Sequence, residues 1–97
     1  MIELRESAIA IATEIEEHYE DGTLEEYIDH RTQDVEYTLN KDMQLLGVSL
    51  LIQYGGPTTC INTRNHEIVS HYGSEEVKIP FNEDASDYIQ EMFSYDF

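Results

Sequence analysis

DVEYTLNKDMQLLGVSLLIQY, residues 34–54, is the stretch whose reading decides the fold. Upstream of it the apolar residues recur every three or four positions. Inside it Val35, Tyr37 and Leu39 alternate with Asp34, Glu36 and Thr38, and a period of two marks a strand with one covered face. Asn40-Lys41-Asp42 interrupts the run as a turn. Residues 46–54 then form the most apolar strand of the chain, which its content predicts to be central and covered by a helix.

Downstream, Gly55-Gly56-Pro57 ends that strand. A third strand over residues 58–63 and a fourth over 67–72 flank Arg64-Asn65-His66, a hairpin turn in which Asn65 is suited to the left-handed conformation. Gly73-Ser74-Glu75-Glu76 reads as a loop, and Pro80 closes the β region. Asn82 is placed to cap a last helix, with Glu83 and Asp84 in its first turn and Ala85, Ile89, Met92 and Phe93 turned inward. Upstream, Leu4, Ala8, Ile11, Ala12, Ile15 and Tyr19 form one stripe of a helix over residues 2–20. Asp21-Gly22 stops it. Thr23 and Glu26 match a capping box for a short second helix with Leu24, Tyr27 and Ile28 inside. The predicted class is α+β: helix, short helix, four-stranded antiparallel sheet, C-terminal helix, in two layers, with one sheet face left open. Residues 1–97 read as one domain.

The charge is the second strong signal. Twenty-one Asp and Glu stand against five Lys and Arg in 97 residues, a formal charge of −16. A small domain stays soluble with a charge of about 2 to 8 in magnitude, so this excess carries a self-repulsion that solubility does not require. Seven Tyr, three Phe and runs of Val, Ile and Leu separate the chain from disordered polyanions. A polyanion of this kind is repelled by nucleic acid and by anionic membrane, and is steered onto surfaces that receive phosphates. A halophilic proteome or a merely acidic soluble protein would show the same total.

The distribution says more than the total. Glu14, Glu16, Glu17, Glu20, Asp21, Glu25, Glu26 and Asp29 fall within sixteen residues that hold no Lys or Arg. On a helix rising 1.5 Å per residue, Glu14, Glu17 and Asp21 lie about 4.5–6 Å apart along one side, comparable with the 3.4 Å phosphate repeat of one DNA strand. Arg side chains that grip phosphate also accept carboxylates in a two-pronged bond. Glu75, Glu76, Glu83, Asp84 and Asp87 add a second acidic group late in the chain, in which Glu83 and Asp84 equally suit the start of a helix. A single charged face over about 30 Å would favour imitation of nucleic acid, and an even spread would favour a general acidic interaction module.

Catalytic and metal chemistry find little footing. His18, His30, His66 and His71 have no C-x-x-C or H-E-x-x-H companion. The alternating Asp loop of a calcium site is absent, and Gly55-Gly56 is followed by neither a helix start nor a Lys. No cofactor or metal is therefore expected. Cys60 alternates with Ile61 and reads as a small buried hydrophobe, and a single cysteine allows no intrachain disulfide. With no basic leader before an apolar stretch in MIELRESAIAIATEIEEHYE, the expected compartment is the cytoplasm. Tyr54, Tyr72, Tyr88 and Tyr95 fall near element ends; several on the open sheet face would make it a dimer interface or an anchor beside the acids.

One resemblance is carried by Gly55-Gly56-Pro57 followed by INTRNHEIVSHYG. Across residues 46–97 this resembles small acidic proteins of phages and conjugative elements, in which a strand ending in Gly-Gly-Pro leads to an Asn-Thr strand and an aromatic-rich hairpin. This chain has Cys60 where an aromatic is usual, His66 where Gly is usual and Tyr72 where Trp is common. The resemblance implies an anti-CRISPR or anti-restriction inhibitor that occupies the nucleic-acid channel of a host defence nuclease, a Cas9-type enzyme being favoured. The expected partner is thus a basic nucleic-acid-binding protein rather than nucleic acid or membrane. A small acidic interaction module or homodimer is the alternative.

Overall fold

A computed structural model describes residues 4–94. Three helices and five strands follow in the order α1 (Leu4–Asp21), α2 (Leu24–Arg31), β1 (Asp34–Leu39), β2 (Leu45–Gln53), β3 (Thr58–Asn62), β4 (Glu67–Tyr72), β5 (Glu75–Pro80) and α3 (Glu83–Phe93). The class is α+β. The strands form one antiparallel sheet ordered β1-β2-β3-β4-β5.

The sheet has five strands where the sequence predicts four. The added strand is β5, and Glu75 and Glu76 lie on it rather than in a loop. Its local pattern is masked by polarity: Val77 and Ile79 are its only apolar residues on the helix side, which they share with Glu75, and they alternate with Glu76, Lys78 and Pro80. Charge and Pro on a short outer strand are the usual protection of a sheet edge. Gly73, at φ 62, supplies the positive φ that the two-residue loop between β4 and β5 requires at its first position. With five strands, β3 becomes the centre and the apolar β2 lies one place from the edge.

Register separates the two faces. Val48, Leu50, Ile52, Ile61, Ile68 and Ile79 are buried under the helices, joined by Ala8, Ile11 and Ile15 of α1, Leu24, Tyr27 and Ile28 of α2, and Ala85 and Ile89 of α3. Helix α1 lies against β4 and β5, and α3 reaches β2. Burying a branched aliphatic side chain contributes about 1.5–3 kcal/mol, so this layer contact dominates stability. On the other face Leu51, Cys60 and Val69 stand side by side, only half buried. Cys60 is therefore outside the core, because its neighbours Thr59 and Ile61 take the inward positions.

Two predicted caps have different outcomes. The Asn82 side-chain oxygen accepts the Ala85 N–H at 3.0 Å, which starts α3. Thr23 makes no such bond to α2; its hydroxyl is 2.7 Å from His18 Nδ1, so the Thr23–Glu26 box does not form. The left-handed residue of the β3–β4 turn is His66 (φ 57), not Asn65. Asn62 Oδ1 accepts the N–H groups of Arg64 and Asn65, which holds both inside the turn and moves the reversal one residue on.

Candidate functional site

The outer surface of α1 and α2 carries the densest charge. Glu16, Glu17, Glu20 and Asp21 on α1, with Glu25, Glu26 and Asp29 on α2, are all exposed. Glu14 differs. It is half buried, 3.9 Å from Arg31 of α2 and beside Tyr27, so it is committed within the chain. At about 100° per residue, Glu14, Glu17 and Asp21 lie on the flank of α1 that faces Arg31, and Glu16 and Glu20 on the opposite flank. In the first half of α1 Glu6 is the one acid among the described residues. The acidic surface is thus a cap over the end of α1 and all of α2, rather than a line along one helix.

Tyr27 holds this cap to the core. Its ring stacks on His18, with centroids 4.6 Å apart, and the Arg31 guanidinium lies 5.7 Å from its centre. Among the described residues no hydrogen bond of normal geometry reaches its buried hydroxyl, although the Glu14 carboxylate lies beside it. Burial, and then the negative charge of Glu14, push the Tyr27 phenol up to about 12, against a smaller opposing effect of Arg31.

Helix α3 adds to the surface. A cleft of about 370 Å³ opens between α2 and α3, lined by Glu25, Tyr88, Glu91 and Met92. The Tyr88 hydroxyl donates to Glu25 at 3.5 Å, and its ring meets Tyr19 edge-on at 6.0 Å. Two carboxylates over a thioether and a phenol ring suit the apolar stem and charged tip of Arg or Lys. Sequence reasoning placed Glu91 outside the acidic segment, although Tyr88, Glu91 and Met92, spaced three and four apart, mark one edge of the amphipathic α3.

Glu75 and Glu76 are exposed on the edge strand β5, and the sheet splits them: Glu76 faces the open side, whereas Glu75 shares the helix side with Tyr72. Tyr37 and Tyr72 also register on the helix side, and Tyr54 lies beyond the end of β2, so the open face carries no tyrosine cluster among the described residues. Tyr95 lies outside the described residues.

Ser86, His66 and Glu83 come together in a way no spacing announces. His66 Nδ1 is 2.8 Å from Ser86 Oγ, and Nε2 is 3.4 Å from Glu83. Ser86 is fully buried and donates its proton to the Thr63 carbonyl at 3.1 Å, so His66 is the donor to Ser86. The array braces α3 on the β3–β4 turn and leaves Ser86 Oγ inaccessible to any substrate. Among the described residues, no group of three or more His, Cys, Asp or Glu side chains is arranged to hold a metal ion, and no helix is long and apolar enough to cross a membrane.

No protein-family model, curated protein or solved structure matches the chain.

Proposed function

We propose that this protein is a non-catalytic inhibitor that docks its α1–α2 carboxylates on the basic, phosphate-receiving surface of a nucleic-acid-binding protein. The observation that carries this reading is the set of seven exposed acids from Glu16 to Asp29, none of them ion-paired among the described residues. Carboxylates left without partners are desolvated most favourably against Arg and Lys, and the cleft at Glu25 and Glu91 offers one such side chain a seat. A host defence nuclease, with a Cas9-type enzyme favoured, is the target class suggested by the resemblance of residues 46–97 to proteins of phages and conjugative elements.

A second reading has its own support. Asp34, Glu36 and Glu76 are exposed on the open sheet face, so acidity is shared between the two layers, as in a general acidic interaction module with a partner unrelated to nucleic acid. Capture from host lysate across a salt series separates the two. Nucleic-acid imitation predicts a nucleic-acid-binding protein whose retention falls steeply between about 50 and 200 mM salt and which DNA or RNA displaces. Retention indifferent to salt and to competing nucleic acid overturns the first reading.

A further inference from the structure

The face of the sheet opposite the helices carries an ordered pattern that the acidic cap does not use. Register places Asp34, Leu51, Cys60, Val69 and Lys78 in one row from edge to edge. The row is acid, apolar, apolar, apolar, base. The next row on the same face reads Glu36, Ser49, Asn62, Glu67 and Pro80. No described element covers either row.

We propose that this face binds a second copy of the chain, the two sheets meeting about a two-fold axis that runs along β3. Such an axis exchanges the sheet edges, setting β1 of each copy over β5 of the other. Asp34 then faces the second copy's Lys78, twice, while Leu51 meets Val69 and Cys60 meets Cys60 at the centre. In the next row Glu36 faces Pro80 and Glu67 faces Ser49, so no carboxylate opposes another. An axis across the strands would instead set Asp34 on Asp34 and Lys78 on Lys78. The charge pattern therefore selects one of the two symmetric packings.

Shape agrees. A hollow of about 210 Å³ over β1, β2 and β3 is lined by Asp34, Glu36, Ser49, Leu51, Thr58 and Cys60. In this packing it receives Val69 and the stem of Lys78 from the other copy, with the ammonium among the carboxylates on its rim. Sheets packed face to face twist by about 30°, which displaces an edge strand about 10 Å from the axis by roughly 5 Å, within the reach of Lys78. Five strands about 4.8 Å apart and roughly 18 Å long present on the order of 400 Å² in projection per copy, below the roughly 600 Å² per partner of stable specific interfaces and in the range of weak, transient ones. The dimer is accordingly weak, and the charge of −16 on each copy opposes it.

That opposition separates this proposal from the acidic docking, because the two respond to salt with opposite sign. Screening the long-range repulsion tightens self-association by at least ~10-fold between about 20 and 500 mM salt, while partly buried pairs are screened much less. The decisive experiment is a charge exchange followed by sedimentation equilibrium. Lys78→Glu and Asp34→Lys each weaken the dimer at least ~10-fold, and the double variant returns to within about 3-fold of the original. Within one chain the two residues sit four strand spacings apart, about 19 Å, so rescue arises only between copies. A short bis-maleimide near neutral pH, where maleimides select thiols over amines, joins two chains through their one cysteine, and the Lys78→Glu variant loses this product. A monomer at millimolar concentration and high salt overturns the proposal, as does a double variant no better than the singles or cross-linking undiminished by Lys78→Glu. Circular dichroism of each variant confirms the fold.

Discussion

The outer surface of α1 and α2 and the junction of the β3–β4 turn with α3 use polar residues in opposite ways. At the junction, polar groups are consumed inside the chain. Thr63 Oγ1 accepts the Val48 N–H at 2.9 Å and turns its proton toward Gln90 at 3.1 Å; Ser86, His66 and Asn82 have partners as well. Between Glu14 and Asp29 seven carboxylates have no ion-pair partner among the described residues; Glu14 is paired with Arg31, and Glu25 accepts a long bond from the Tyr88 hydroxyl. Buried polar groups must be satisfied or they destabilise the fold by about 1–3 kcal/mol each, whereas exposed charges are satisfied by water and remain free for a partner. Polar side chains at the junction hold the fold, and those on the helices are available for recognition.

The largest effect that would break this contrast is on binding. Changing Glu17, Glu20 and Asp21 together to Lys should weaken binding to the captured partner by about 100-fold or more, because attractive contacts become repulsive ones. Stability should hold or rise, since exposed substitutions cost little and these relieve repulsion. The same reversal at Glu36, Glu67 and Glu76 on the sheet is the comparison. Equal losses from both triples, measured by calorimetry on folded protein, would make the acidity a property of the whole surface.

The junction should respond in the converse way. A Cβ on Gly47 would fall 2.5 Å from Arg64 Cβ, so Gly47→Ala forces β2 away from the turn. Urea unfolding should show a loss of about 1–3 kcal/mol, with partner affinity unchanged below the transition. Coupled losses of affinity would mean that the two regions are not independent.

Tyr27 sharpens the contrast at their border. Its folded value of about 12 lies above the ordinary value near 10, so the folded state keeps the phenolic proton longer than the unfolded chain. This contribution is complete below pH 10 and is lost as pH rises from 10 to 12. Tyr27→Phe should remove on the order of 1–2 kcal/mol of that alkaline loss while changing neutral-pH stability by less than about 1.5 kcal/mol, the net worth of one hydrogen bond, since Glu14 lies beside the hydroxyl. An unchanged alkaline profile would locate the ionisation elsewhere.

The smallest effect concerns Glu14, the one acid of its segment that is ion-paired among the described residues. Glu14→Gln should lower stability by less than about 1 kcal/mol, as for other half-exposed ion pairs, and should leave partner affinity within about 2-fold. A loss like that of the triple reversal would return Glu14 to the binding surface.

Local patterns in the chain were enough to determine three helices, four of five strands, the Asn82 cap and the clustering of acids on two outward helix faces, because a period of two or 3.6 and a capping side chain act over a few residues. Tertiary structure alone decided what depends on distant partners. Strand β5 exists because Val77 and Ile79 find Ser70 and Ile68 across a two-residue turn, not because its own sequence is apolar. Glu14 is held by Arg31, and His66 by Ser86 twenty residues away, because turns and packing bring them together. Glu91 joins Glu25 across the α2–α3 cleft, and Asp34 shares a row with Lys78, only once helix packing and strand register are set. No spacing rule carries such pairings, because loop closure between distant residues depends weakly on the sequence between them and strongly on the core that repays it.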